Sequence, residues 1–171
     1  MSLFLDLRKH GKLAEKRNPM YEKSKFGKFW MYFMFVFWAG YLIFFGTTFA
    51  FGFSDMVPNR EPYHVMNAVV LIFILALDFL LRVPFQKTPT QEVKPYLLLP
   101  VKRNRVIDFL LIRSGLSLFN LFWLFMFVPF SFITITKYFG ILGVITYLIG
   151  ILLLILANNY WYLLCLSLIH I

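Results

Sequence analysis

The sequence predicts an all-α protein, a polytopic bundle of transmembrane helices, and three observations carry that expectation. Four apolar stretches divide the chain, each long enough or nearly so to cross a hydrocarbon core of about 30 Å at about 1.5 Å per residue. The composition is 60% hydrophobic, 20% aromatic and 15% charged, with a mean hydropathy of +0.74. A soluble domain has about 45 to 50% apolar and about 25% charged residues, and a soluble core could not enclose 22 phenylalanines. Finally, the net charge of +9 falls between the apolar runs, which is the pattern of membrane topology and not of a nucleic-acid surface.

Residues 1–28 form a basic arm, with Arg8, Lys9, Lys12, Lys16, Arg17, Lys23, Lys25 and Lys28 against Asp6, Glu15 and Glu22. Such an arm either lies along anionic headgroups as an amphipathic helix or is a solvated block that enforces topology. No cleavable signal peptide is expected, because this region is polar and the next apolar run is too long for a signal core. The first hairpin is expected over 29–83, with spans at about 29–53 and 65–83 and an outer loop at 54–64. Trp30 and Tyr32 suit the headgroup boundary, and Gly46 with Ala50 makes a small-xxx-small pair that lets helices approach closely.

Asp78 and Arg82 stand four residues apart in the second span, so they share a helical face and can pair. Charges at membrane depth are costly without a partner. An ion pair anchoring the inner end of the helix is the favoured reading, with Arg82 reaching the interface; an element of a coupling or substrate path is the other. Asp78 is the acid within a span and no nucleophile or carboxylate pair accompanies it, so no enzyme is expected.

A cytoplasmic basic connector follows at 84–113, where Pro84, Pro89, Pro95 and Pro100 exclude one continuous helix. Its apolar patch Tyr96, Leu97, Leu98 and Leu99 lies between Lys94 and Lys102-Arg103, suited to the interface. Pro100 can open the next helix, with Arg105 and Asp108 one turn apart. The second hairpin is expected over 114–165, with spans at about 114–136 and 139–162 and a short turn at Lys137-Tyr138. Pro129 predicts a kink. Gly143, Gly150 and Ala157 recur every seven residues as a packing stripe, and Asn120, Asn158 and Asn159 suit interhelical hydrogen bonds. Residues 166–171 lack a basic stop and are expected to be an artefactual or truncated end. Cys165, alone, excludes a disulfide, and neither His10 nor His64 has a second ligand at metal spacing, so no metal or other cofactor is expected.

Lysine and arginine number eight before the first run, one (Arg60) in the next gap, seven from Arg82 to Arg113 and one (Lys137) in the last gap, which accounts for all 17. Basic residues near span ends stay inside, so the amino terminus and the connector are expected in the cytoplasm.

The run from Asp78 to Phe130 carries a resemblance, through Arg82, Gln86, Pro89, Pro95-Tyr96-Leu97, Leu99-Pro100-Val101-Lys102-Arg103, Phe119-Asn120 and Pro129-Phe130. It resembles a bacterial family of longer polytopic membrane proteins of unknown function, itself similar to ABC-type exporter permeases. The resemblance implies the amino-terminal part of a permease in the bacterial inner membrane. It further implies a separate ATPase subunit docking on Tyr96, Leu97, Leu99, Pro100, Lys102, Arg103 and Arg105, and a second permease copy as a further partner. No phosphate loop of the GxxxxGK[ST] type occurs in the chain, as a permease without its own ATPase requires. A non-transporting scaffold that binds anionic lipid through the same basic surfaces is the alternative.

Overall fold

A computed structural model describes residues 25–56, 59–85 and 103–169, together with Lys9 and Leu13. All described elements are helical, and three stretches are long and apolar enough to cross a membrane: Phe29–Phe53, Pro62–Val83 and Leu124–Leu168. This is the architecture of a membrane protein. Tyr96, Leu97, Leu99, Pro100 and Lys102, which the resemblance implies as docking residues, lie outside the described residues.

The chain forms two compact units, Met1–Tyr41 and Leu42–Ile171. Helix α1, Lys25–Met56, contributes residues to both. In the first unit its rings stack at every fourth residue: Phe29 on Phe33, Phe33 on Phe37 and Phe37 on Tyr41, with centroids 6.5, 6.3 and 6.4 Å apart. These rings are exposed, as lipid-facing side chains are and as those of a soluble helix are not.

In the second unit α1 buries Leu42, Ala50 and Phe53. Gly46 explains the closeness of its packing. A Cβ there would meet the backbone carbonyl oxygen of Met126 and approach the Pro129 ring to 2.9 Å, so the small-xxx-small pair sits where a neighbouring backbone touches the helix. Thr47 and Thr48 both donate to the Phe44 carbonyl, at 2.8 and 2.9 Å, which satisfies their hydroxyls without a partner from elsewhere.

Helix α2, Pro62–Val65, starts three residues earlier than the expected span because Pro62 occupies the first helical position after extended Glu61. It continues through a π-helical turn, Met66–Val70, into α3, Leu71–Phe85. Helix α4, Arg103–Gly115, ends at a break where Ser117 caps α5, Leu118–Phe122, by accepting from the Phe119 N–H at 3.3 Å. Helix α6, Leu124–Phe130, contains Pro129 and passes into a second π-turn, Ser131–Ile135. The proline lacks the N–H that an α-turn would use, and a wider turn follows it directly.

The last helix, α7, covers Thr136–Ile169 and is broken at Gly140, with φ 68° and ψ −170°. That break stands two residues beyond the expected turn at Lys137-Tyr138, at the residue without a Cβ, which alone takes this conformation cheaply. The chain reverses around it. Phe130 and Phe127 both pack on Tyr147, with centroids 6.4 and 6.5 Å apart, and further on Ser114 meets Asn159. Phe127, Phe130, Met66 and Ile155 are fully enclosed at the centre. The expected glycine stripe divides: Gly143 backs onto its own helix at Phe139, while a Cβ on Gly150 would enter open space and Ala157 is exposed.

Candidate functional site

The candidate site is a buried polar cluster built around Asp78 and Arg82, which are 0% and 1% exposed. Their spacing on α3 puts both on one face, and Arg82 Nε donates to Asp78 Oδ2 at 2.8 Å while Nη2 donates to Oδ1 at 3.2 Å. The guanidinium turns inward into the bundle, not outward to the interface as expected for a snorkelling arginine.

Three other segments complete the cluster. Arg82 Nη1 donates to Asn159 Oδ1 and Nη2 to Asn120 Oδ1, both at 2.8 Å. The Asp78 carboxylate accepts from Trp123 Nε1 at 2.8 Å and from Asn158 Nδ2 at 2.7 Å. Each of its oxygens thus accepts two hydrogen bonds, which is what an ionised carboxylate needs where water cannot reach it. The Arg82 guanidinium also lies 5.1 Å from the centre of the Phe119 ring, a cation–π distance.

The cluster extends to the backbone at the ends of the connector. Asn120 Nδ2 donates to the carbonyls of Ser114 and Gly115, at 2.9 and 2.8 Å, and so closes the carboxyl end of α4. Tyr162 Oη donates to the Arg82 carbonyl at 3.2 Å, and Asn158 Nδ2 to the Leu75 carbonyl at 3.0 Å. Asn159 and Ser114 exchange hydrogen bonds at 3.1 and 3.2 Å. One electroneutral network therefore ties α3, the end of α4, α5 with Trp123, and α7.

The structure brings together Asp78, Arg82, Asn120 and Asn158. Pro129, Gly143 and Gly150 lie elsewhere, and Arg105 is exposed on the first turn of α4, where Arg103 begins the helix. Trp123, Ser114 and Tyr162 were not singled out from the sequence. The signal available was that a buried Asp–Arg pair needs further donors and acceptors, and Asn120 and Trp123, three apart, present a shared polar edge to it. Among the described residues no group of three or more His, Cys, Asp or Glu is placed to hold a metal ion.

Residues 12–169 match the Family of unknown function (DUF5687). The chain belongs to that family. No curated protein and no solved structure matches the DUF5687 chain, so the chemistry of its cluster has to be read from the cluster itself. With every carboxylate lone pair engaged, Asp78 is built to hold helices together and offers no open position for general acid or base work.

Proposed function

We propose that the protein is the membrane-spanning permease subunit of an ABC-type exporter, without its own ATPase, in the bacterial inner membrane. In this reading four spans run as two hairpins, with the amino terminus and the connector 84–113 in the cytoplasm. The stretch Leu124–Leu168 counts 45 residues, about 67 Å of helix and so about twice one hydrocarbon crossing. Its break at Gly140 suits two crossings joined by a tight turn, and the basic residues concentrated in the arm and the connector favour the inward orientation of both.

The observation that carries the reading is mechanical. Both stems of the basic connector end in the same buried network: Arg82 closes the incoming stem, Asn120 holds the Ser114 and Gly115 carbonyls of the outgoing one, and Asn158 and Asn159 join both to α7. A load applied to the connector by a docked ATPase would reach three helices at once, whereas a passive loop needs no such attachment. The resemblance around PYLLLPVKR supports the same assignment.

Purification from the native membrane of the protein expressed from its own gene tests the proposal. An ATPase subunit is expected to co-purify, and Lys102→Glu with Arg103→Glu to abolish its recovery without changing insertion. Recovery of no ATPase, together with binding to liposomes only when they contain anionic lipid, would replace the permease with a lipid-binding scaffold. A cysteine at position 59, in a Cys165→Ser background, is expected to react with an impermeant maleimide on intact cells and one at 103 is not. The opposite pattern inverts the topology.

A further inference from the structure

A second polar site stands at the other end of the same helices. Asn59, Arg60, Glu61, His64, Ala68 and Tyr138 line a half-open recess of about 680 Å³ together with Pro62, within the range of about 300 to 1,000 Å³ usual for small-molecule sites. It lies at the boundary of the apolar stretch that begins at Pro62, so it sits at headgroup level.

The wall chemistry has two signs. Arg60 and Glu61 are adjacent in the recess wall, and no ion pair joins them among the described residues. Opposite charges held side by side without neutralising one another are what a ligand carrying both signs requires. Arg60 and His64 supply donors for an anion, while Glu61 and the face of the Tyr138 ring can receive an ammonium group. The Tyr138 ring is held edge-on against Tyr63 at 5.4 Å, which fixes that wall.

The backbone beneath supports a binding role. Ala68 belongs to the π-turn Met66–Val70, and Tyr138 follows closely on the π-turn Ser131–Ile135. Each π-turn inserts a residue into a helix at a local cost and recurs at functional sites in proteins generally. The first supplies Ala68 to the recess wall, and the second ends three residues before Tyr138.

We propose that this recess binds a small zwitterion of the phosphoethanolamine type, its phosphate on Arg60 and His64 and its ammonium on Glu61 and Tyr138. The group arrives either as a lipid headgroup or as a free solute. This site is independent of the exporter assignment, because it uses neither the connector nor an ATPase.

Native mass spectrometry of the protein, released from nanodiscs containing equal phosphatidylethanolamine and phosphatidylglycerol, measures lipid retention. Titration with free phosphoethanolamine, followed by amide chemical shifts, measures the solute. Phosphatidylethanolamine is expected to be retained about tenfold over phosphatidylglycerol, the effect of about 1.4 kcal/mol. Glu61→Gln should erase that preference while keeping phosphate affinity, and Arg60→Gln should weaken retention of both lipids. Both positions are exposed, so the variants fold. Saturable shifts with free phosphoethanolamine identify a solute site, and headgroup selectivity without them identifies a lipid site; either supports the proposal. Equal retention of the two lipids with no response to the free solute overturns it, as does a preference that survives both substitutions.

Discussion

The bundle contains two polar layers of opposite construction. At one level Asp78, Arg82, Asn120, Asn158, Asn159 and Trp123 form a charged network enclosed by apolar side chains. At the other, apart from the charged recess, the polar groups of the π-turns and of α7 beside them are neutral and incompletely matched: Tyr147 Oη donates to Asn67 Oδ1 at 3.0 Å, while the Thr134 and Thr136 hydroxyls are buried without partners. The first layer has the chemistry of a clamp, because removing any member leaves a charge or a strong acceptor uncompensated. The second lacks that coupling: its groups carry no charge and two of its hydroxyls are buried without a partner, so the loss of any one of them costs little.

The sharpest test of this contrast is to break the clamp. Asp78→Ala leaves the Arg82 guanidinium buried with its main counter-charge gone, and a cost of about 3 to 5 kcal/mol is expected. Replacing both residues, with Asp78→Leu and Arg82→Met, should recover more than half of that loss, since the uncompensated charge disappears with the pair. Reversible unfolding in mixed detergent micelles measures both. If the single and double variants lose equally, the network does not depend on its charges, and the clamp reading fails.

A smaller effect is expected where packing rather than charge joins the helices. Gly46→Ala puts a Cβ into the Met126 carbonyl, a backbone atom that cannot swing aside, and should cost about 1 to 3 kcal/mol. Gly150→Ala, where the added methyl meets open space, should change stability by less than about 0.5 kcal/mol. The pair of measurements separates the glycine that lets two helices touch from the one that does not, a distinction that seven-residue spacing cannot make.

Sequence reasoning reached the helical class and the long apolar stretches because hydropathy and length are local properties that a membrane converts directly into helix. It reached the Asp78–Arg82 pair because four-residue spacing fixes a helical face. It stopped where information is not local. Which face of α7 turns inward decides whether Asn159 or Gly150 is buried, and that is set by the reversal at Gly140, two residues from the expected turn. Trp123 was hidden for a related reason: tryptophan in an apolar run reads as filling or as an interface anchor, and only the neighbouring carboxylate gives its indole N–H a purpose. Arg82 was expected at the interface because long cations usually escape there, but three asparagines and an aspartate offer enough acceptors and bridging amides to keep it inside.

The smallest expected effect has the opposite sign, and it probes the neutral layer. Thr134→Val preserves shape and removes a hydroxyl that has no partner in the second π-turn, so stability should be unchanged or should rise by up to about 1 kcal/mol. Tyr147→Phe removes a matched hydroxyl from the same layer and should cost about 0.6 kcal/mol, typical of one interhelical hydrogen bond in a bilayer. Unfolding measurements on the two variants and their double form distinguish a loose layer from a rigid one. In a loose layer the effects add, because Thr134 and Tyr147 share no hydrogen bond; coupling above about 0.5 kcal/mol would mean that the π-turns and α7 act as one locked unit like the charged cluster.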